Sequence, residues 1–350
     1  MKVTAHEFPT YGIDIGKTIF HIVATDHRGK PSFRIKLRRD SLLEFFVRAS
    51  PAVIGMEACP GAQWLARKLK SYGHDARILP AQFVKPYVKS NKNDTNDAEA
   101  IAEAVRRPTM RFVPVKRPDQ VDVQALHRVR DRLSYDRTRL ISQARSFCLE
   151  YGIAIRTGAG IFKLDLPRIV DDEANDLTPA MRALLSALWI EFGEIDERLK
   201  QVSKQIESLA ANDEMARRLM TIPGIGPLGA TALLAAIGNP KAFHKARDLS
   251  AWLGLVPRQY STGGKTTLLG ISKRGNSYVR RLLIHGARSC MRHMDRSRDR
   301  LGTWLDALQA RSHFNKAVVA LANKIARIAW VVINTPGATY HRVDPALQPT

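Results

Sequence analysis

Clustered and alternating apolar positions predict an α/β region at the start of the chain. Short runs of apolar, β-branched residues predict strands, and apolar residues three or four positions apart predict helices. Three strands come first, and helix, strand, helix and strand then alternate. These seven segments are residues 11–15, 19–24, 33–37, 41–48, 52–56, 63–72 and 76–79. Such an alternation indicates an α/β domain, which we place at residues 1–115.

The pattern becomes helical further along the chain. Apolar residues at three-to-four spacing predict long helices at residues 119–149 and 181–210. The segment between them, 152–178, is rich in Gly, Pro and Asp and is expected to be a connector. The spacing does not tell whether the two helices pair within one chain or between two chains. We expect dimerisation through this region.

Four acidic residues stand out against this pattern. Asp14 and Glu57 lie at or near the ends of predicted strands, where a rigid sheet can hold metal ligands. Asp94 and Asp97 are three positions apart, which on a helix places both carboxylates on one face. Converging carboxylate oxygens suit Mg²⁺. The residues therefore resemble a metal-binding nuclease centre, although Asp14 alone could equally be a turn residue.

Composition indicates the substrate that such a centre would meet. The chain of 350 residues has 55 Lys and Arg against 33 Asp and Glu, a formal charge of +22. A polyanion is attracted to such a chain before any specific contact forms, and nucleic acid is the simplest polyanionic partner. A hydrophobic fraction of 45% can supply packed cores for two or three domains.

Composition also indicates the cellular compartment of the protein and the state of its cysteines. The sequence has no run of eighteen apolar residues and no signal-like apolar run at its start, so we expect an intracellular protein without a membrane span. Cys59, Cys148 and Cys290 are odd in number and far apart, which favours neither a disulfide framework nor a zinc site.

Two further segments carry candidate phosphate chemistry. Gly224 and Gly226 belong to an Ile-Pro-Gly-Ile-Gly turn between helical patterns, which resembles the hairpin of helix-hairpin-helix domains that hold a phosphate. A tight turn with structural glycines explains it equally well. Residues 261–265, Ser-Thr-Gly-Gly-Lys, combine hydroxyls, glycines and a cation. A hydroxyl there is a candidate nucleophile, while a Gly-rich phosphate-binding loop is the simpler interpretation. The cations of this region are Lys265, Lys273, Arg274, Arg280 and Arg281.

The order of the motifs resembles that of a known family. Along the chain come Asp14-Ile-Gly, Glu57-Ala, Asp94-Thr-Asn-Asp-Ala, Ile222-Pro-Gly-Ile-Gly, Gly254-Leu-Val-Pro, Ser261-Thr-Gly-Gly-Lys and Ile271-Ser-Lys-Arg-Gly-Asn. This order resembles transposases of the insertion-sequence one-ten family, especially its eleven-eleven subgroup. Each motif is loose, but the combination covers nearly the whole chain and is specific.

The resemblance implies an architecture and a set of partners. It implies a RuvC-like, ribonuclease-H-type domain at 1–115, a helical coiled-coil linker at 116–211, a mainly helical transposase domain with a helix-hairpin-helix-like element at 212–338, and a tail at 339–350. It also implies donor and target DNA, an element-encoded bridge RNA, a homo-oligomer (dimer or tetramer), and a prokaryotic cytoplasm with nucleoid association.

The resemblance further implies the roles of single residues. Asp14, Glu57, Asp94 and Asp97 match a DEDD carboxylate set, which would hold Mg²⁺ with Mn²⁺ as a substitute. Ser261 matches the serine nucleophile, which is thought to work beside the carboxylates of another subunit. Thr262 stays an alternative nucleophile and Ser272 a weaker one. Arg128 and Arg132, in an arginine-rich run, are candidates for binding RNA or heteroduplex, although a solvated helix face is as good an explanation.

Three other functions compete with a transposase. A junction-resolving nuclease that uses activated water explains the carboxylates and the charge but not residues 261–265. A non-catalytic nucleic-acid-binding protein or RNA chaperone explains only the basic segments. A sugar-kinase-like ATPase is suggested by Asp14-Ile-Gly, but the sequence has no evident second loop of that kind.

Overall fold

The computed structural model describes residues 9–89, 93–298 and 300–342. The chain folds as two compact units that divide between Arg117 and Pro118. The predicted boundary at 211/212, between a linker and a transposase domain, stays a prediction. Of the predicted tail, Tyr340 packs against the core of the second unit. Residues 343–350 lie outside the described residues.

The first unit contains a five-stranded sheet in the order β3-β2-β1-β4-β5. β1, β2 and β3 form an antiparallel meander, whereas β4 and β5 run parallel to β1. The bounds are Thr10–Ile15 for β1, Ile19–Thr25 for β2, Pro31–Arg38 for β3, Val53–Glu57 for β4 and Asp75–Leu79 for β5. All five agree with the sequence prediction to within two residues at each end.

Helices of the first unit pack against this sheet. They are α1 at Arg39–Arg48, α2 at Ala62–Ser71, the single turn α3 at Ala81–Val84, and α4 at Asp94–Ala104, with a 3₁₀ turn at Lys85–Tyr87. The Asn93 side chain begins α4 by accepting the N–H of Thr95 at 3.0 Å. Acidic residues in the first turn suit the positive end of the helix dipole. Alanines fill much of the buried face, so α4 can lie close to the strands.

The second unit begins with three helices around their own apolar core. They are α5 at Pro118–Leu149, α6 at Ala159–Asp171 and α7 at Pro179–Asn212. α5 packs along α7 within one chain, and an ion pair joins Arg137 to Asp196 at 2.9 Å. The prediction of a plain connector at 152–178 was therefore incomplete. α6 forms there because Phe162 and Leu166, one helical turn apart, are fully buried in this core.

The rest of the second unit is mainly helical. Its helices are α8 at Glu214–Met220, α9 at Pro227–Ile237, α10 at Ala246–Trp252, α11 at Ser277–His293, α12 at Arg300–Gln309 and α13 at Phe314–Asn334, with 3₁₀ turns at Pro240–Ala242 and Arg296–Arg298. Between α10 and α11 lies an antiparallel hairpin of β6, Pro257–Thr262, and β7, Lys265–Ile271.

α13 is the one helix of the described residues that is long and apolar enough to cross a membrane. Half of its most apolar window is buried, and residues such as Leu321 and Ile325 lie in the core of the second unit. A core helix passes the same test of length and composition.

The predicted fold class is confirmed in its coarser form, with a mixed α/β region before a mainly helical one. Like α6, the hairpin of β6 and β7 is a part of the second unit that the helical pattern did not predict.

Candidate metal centre and serine hairpin

Asp14 and Glu57 lie side by side because their strands are parallel and in register. The last paired residues of β1 and β4 are Ile13 and Met56, and the carboxylates are the next residue on each strand. Neighbouring residues on parallel strands project from the same face of a sheet. The two carboxylates therefore lie at one edge of one face, as their positions at strand ends predict.

Helix α4 covers this face because two glycines let it approach. A Cβ added to Gly12 would lie 2.1 Å from the carbonyl oxygen of Ala98. A Cβ added to Gly55 would lie 2.9 Å from the Cβ of Val105. Gly12 is two residues before Asp14, on the same face of the strand. The close contact therefore fixes the beginning of α4, with Asp94 and Asp97, near Asp14.

The structure adds a histidine to this cluster. Ligand atoms of Asp14, His21 and Asp94 all lie within 4.8 Å of one another. His21 is the cross-strand partner of Asp14, and its Nδ1 lies 3.6 Å from Oδ2 of Asp94. The apolar pattern did not indicate His21, although the register of an antiparallel pair around the turn at Gly16 and Lys17 places it opposite Asp14.

The carboxylates act on one another electrostatically. Burial raises the pKa of Asp14, and the negative charges of Asp94 and Asp97 raise it further. His21 and the N–H of Ile15 oppose this shift. Burial and the two neighbouring carboxylates therefore outweigh the opposing interactions, and the pKa of Asp14 is raised.

Glu57 belongs to the same electrostatic neighbourhood. Burial raises the pKa of the Cys59 thiol, and the nearby charges of Asp14 and Glu57 raise it further. Cys59 is thus a partly buried, protonated thiol beside two carboxylates, in keeping with an ordinary small apolar residue.

Ser261 lies on β6, whose residues are exposed along the whole strand. It pairs with Thr266 of β7, and the two hydroxyl oxygens are 3.3 Å apart. The amide of Gln259 donates a hydrogen bond of 2.8 Å to Ser261 Oγ. Neither an amide nor a hydroxyl accepts a proton at neutral pH.

The glycines of residues 261–265 form a tight turn. Gly263 and Gly264 have φ of 52° and 74°, the left-handed region that a two-residue hairpin turn requires at both positions. They join β6 to β7, so the Gly-rich segment is the turn of an exposed hairpin, and phosphate binding by it stays a prediction. Thr262 pairs with Lys265, which places both on the face opposite Ser261.

The predicted cations of the second unit have different surroundings. Lys265, Lys273 and Arg274 are exposed. Arg280 is half-buried, and its Nη1 donates to the carbonyls of Leu253 at 3.0 Å and Arg274 at 2.9 Å. Arg280 thus ties the beginning of α11 to the segments on both sides of the hairpin. The backbone N–H of Ser272, the weaker nucleophile candidate, donates to the carbonyl of Val256 at 2.8 Å.

Arg281 makes two side-chain contacts. It forms an ion pair with Asp131, and its guanidinium lies over the ring of Tyr278 at 5.3 Å. An arginine with such partners is held in one orientation.

The glycine turn between α8 and α9 is partly structural. Gly224 has a φ of 87°, and a Cβ there would lie 3.0 Å from the backbone of Gly286 on α11. Gly226 is exposed and precedes Pro227 at the beginning of α9. The requirement for glycine at 224 therefore comes from packing, while the N–H groups near Gly226 lie at a helix N-terminus.

Arg128 and Arg132 project from α5 as exposed side chains. Arg132 donates to Asp136 at 2.8 Å. Arg128 lines a cleft of about 350 Å³, together with the first residues of α11, Asn276 and Ser277. Buried His127 lies at the base of this cleft.

Comparison with known proteins shows which family this chain resembles. The model described as "Transposase IS116/IS110/IS902 family" matches residues 216–301, and a transposase model of the DEDD group of IS110 matches residues 11–153. The transposase for insertion sequence element IS1328 of Yersinia enterocolitica is 42% identical over 332 residues, covering 95% of this chain and 98% of that protein. The transposase for insertion sequence element IS1111A of Coxiella burnetii is 44% identical over 322 residues, covering 92% and 88%.

The chain is basic, its carboxylates cluster, and its relatives are transposases. It is therefore a transposase of an insertion sequence. It belongs to the IS116/IS110/IS902 family, and the predicted resemblance to the one-ten family and its eleven-eleven subgroup is confirmed. DNA is therefore its substrate, and the carboxylate cluster of a DEDD transposase indicates the use of a divalent metal.

Proposed function

We propose that this transposase cleaves and exchanges DNA strands with two sets of groups, a Mg²⁺ site at Asp14, Glu57, Asp94 and Asp97 and a serine nucleophile at Ser261. The observation that carries the proposal is the convergence of carboxylates from β1, β4 and α4 on one face of the sheet. In this proposal the first unit is a RuvC-like nuclease domain of the ribonuclease-H type.

The donor set fits a divalent cation. Carboxylate oxygens are the ligands that Mg²⁺ prefers, and Mn²⁺ accepts the same set. Burial raises the pKa of Asp14, and repulsion from Asp94 and Asp97 raises it further. A bound dication would relieve that repulsion. When bound, the cation supplies neutralisation of the charge that develops on a phosphodiester. Asp14 and Glu57 would hold it from the sheet, and Asp94 and Asp97 from the helix.

Ser261 would attack a DNA phosphate. Its Oγ gives its proton to the activating group and forms a bond to phosphorus. The bond from phosphorus to one deoxyribose oxygen breaks, and the departing oxygen takes up a proton. The resulting phosphoserine conserves the bond energy until a hydroxyl of another strand displaces Ser261. Since a serine hydroxyl is a weak nucleophile at its ordinary pKa, it needs a base or a metal. Gln259 and Thr266 supply neither.

We infer that the activating groups come from the carboxylate cluster of another subunit, which makes the working enzyme a homo-oligomer, a dimer or a tetramer. The helices α5 and α7 would serve as its coiled-coil linker. A bridge RNA would choose donor and target DNA by base pairing, while exposed cations such as Lys273 and Arg274 hold the nucleic-acid backbones. The Gly226 turn would add a helix-hairpin-helix-like phosphate contact. Such an enzyme would work in the prokaryotic cytoplasm on the nucleoid.

Amplification of the excised circular junction from cells tests the proposal. The cells carry the element with wild-type protein, Asp97→Ala, Ser261→Ala or Thr262→Ala at equal protein levels. We expect a circle with the wild type and with Thr262→Ala, and at least a hundredfold less with the other two. Thr262 is a matched control because it neighbours Ser261 but lies on the opposite face of the hairpin.

A circle that survives Ser261→Ala at full yield would refute the serine mechanism and favour hydrolysis by a metal-dependent, structure-specific endonuclease. A circle that survives Asp97→Ala at full yield would remove Asp97 from the proposed metal site, because excision would then proceed without that carboxylate. Loss with Thr262→Ala alone would transfer the nucleophile to Thr262.

A further inference from the structure

We propose that His21 is a nitrogen ligand of the metal centre, so that the site has a mixed donor set rather than carboxylates alone. This inference rests on the proposed metal site and extends it by one residue. It would make the centre discriminate between cations, favouring Mn²⁺ over Mg²⁺ more strongly than four carboxylates would, because imidazole is the softer ligand.

The sheet register brings His21 into the cluster. β1 and β2 pair with Asp14 opposite His21, so both side chains project from the face that α4 covers. The contact of Gly12 with Ala98 holds α4 on this face, and Asp94 is the first residue of that helix. Three separate elements therefore direct Asp14, His21 and Asp94 to one point.

The distances suit a shared cation better than a direct contact. The ligand atoms of Asp14, His21 and Asp94 lie within 4.8 Å of one another. Two ligands opposite each other on Mg²⁺ are about 4.2 Å apart, so a small closing movement would complete the site. Nδ1 of His21 is 3.6 Å from Oδ2 of Asp94, which is beyond a hydrogen bond. The ring thus faces Asp94 at an ion-pair distance without a hydrogen bond, and two atoms this far apart could both bind one cation.

Burial also favours a ligand role for His21. Its side chain is 13% exposed, whereas that of Asp94 is 59% exposed. The imidazole is therefore held by its surroundings, and Asp94, at the beginning of α4, has freedom to adjust. A rigid nitrogen beside an adjustable carboxylate is a suitable arrangement for closing around a cation.

Electron spin-echo envelope modulation of the full-length protein loaded with Mn²⁺ tests this inference directly. We expect nitrogen couplings from a bound imidazole in the wild type, and their replacement by ¹⁵N couplings when the protein is grown with ¹⁵N-histidine. Both should vanish in His21→Phe, which keeps a ring but has no donor. His27→Phe is the matched control, since His27 is an exposed histidine in the turn after β2.

Cation affinity provides a second readout that needs no DNA. In His21→Phe we expect the Kd for Mn²⁺ to rise about tenfold and the Kd for Mg²⁺ to rise less than about threefold. Wild-type protein that binds Mn²⁺ with no nitrogen coupling would overturn the role of His21 while leaving the carboxylate site intact. Wild-type protein that binds neither cation would overturn the metal site itself, and the role of His21 with it.

Discussion

At the scale of single residues, His127 is the group whose surroundings alter its chemistry most clearly. Its side chain is 3% exposed, and its two ring nitrogens lie 2.9 Å from the hydroxyls of Tyr278 and Thr231. Burial, together with the smaller effect of the positive charge of Arg130, lowers the pKa of His127 from 6.5 to about 4. The ring is therefore neutral in the folded protein at neutral pH and joins α5, α9 and α11.

This neutral histidine predicts a loss of stability in mild acid. Between pH 6.5 and about 4 the unfolded chain binds a proton at His127 that the folded protein does not. As the pH decreases through this window, the free energy of unfolding should therefore decrease, by about 3 kcal/mol from His127 alone. Urea unfolding between pH 7 and pH 4 measures the slope.

A His127→Gln variant isolates this contribution. It should be less stable than the wild type at pH 7, because one hydrogen bond is lost, but its stability should depend less on pH. A variant with the same acid slope as the wild type would show that other groups cause it.

The residues of the candidate site also differ in how well the sequence predicts them. Asp14 and Glu57 could be found because strand ends are visible in the apolar pattern, and Asp94 and Asp97 because their spacing fits one helix face. His21 could not be found in this way, since a histidine inside a strand is unremarkable until the pairing register is known. In the sequence, Arg280 cannot be distinguished from its exposed neighbours. Its hydrogen bonds to two carbonyls show that it holds backbone segments together.

At the scale of elements, the contact between α4 and the sheet positions the carboxylates of the proposed metal centre. We expect Gly12→Ala to push α4 away from β1, since its Cβ would lie 2.1 Å from the Ala98 carbonyl, a backbone atom that cannot rotate aside. The free energy of unfolding should fall by about 2 kcal/mol. The affinity for Mn²⁺ should fall more than about tenfold, because Asp94 and Asp97 move with the helix. Urea unfolding and titration with Mn²⁺ measure the two effects.

Gly193→Ala provides the control for this prediction. Gly193 lies inside α7 with no atom within 4 Å of an added Cβ, so alanine should stabilise the helix by about 1 kcal/mol and leave Mn²⁺ binding unchanged. Normal metal binding in Gly12→Ala would show that the position of α4 does not set the site.

Most elements were predictable because their apolar periodicity is local. The sheet of the first unit and the helices α5 and α7 were found in this way. α6 was missed because Gly158, Gly160 and Pro167 suggest a loop, whereas the burial of Phe162 and Leu166 against α7 decides the structure. The serine hairpin was missed because both of its strands are exposed, and a strand with no buried face has no apolar alternation.

At the scale of the whole molecule, the formal charge of +22 governs encounters with DNA. Each phosphate that a cation neutralises releases counterions, so affinity falls steeply with salt. We expect the Kd for a duplex of arbitrary sequence to rise about 10³-fold between about 50 and 200 mM salt. Fluorescence anisotropy measures it.

Two arginine variants test which cations take part. Arg128 is an exposed side chain on α5, so Arg128→Gln should lower the logarithmic salt slope by about 1. Arg280 is engaged with two carbonyls, so Arg280→Gln should lower the melting temperature and change the slope less. The opposite outcome would favour the beginning of α11 over α5 as the surface that binds DNA.

The hydrogen-bond partners of Ser261 have a consequence for the cell that carries the element. A chain of such charge spends much of its time on chromosomal DNA that is not its target. Because Gln259 and Thr266 do not take a proton, the serine of a lone chain meets that DNA as an ordinary alcohol. Under the proposed mechanism, binding to such DNA would leave it intact, because Ser261 would cleave DNA only in an assembled oligomer that supplies the activating groups.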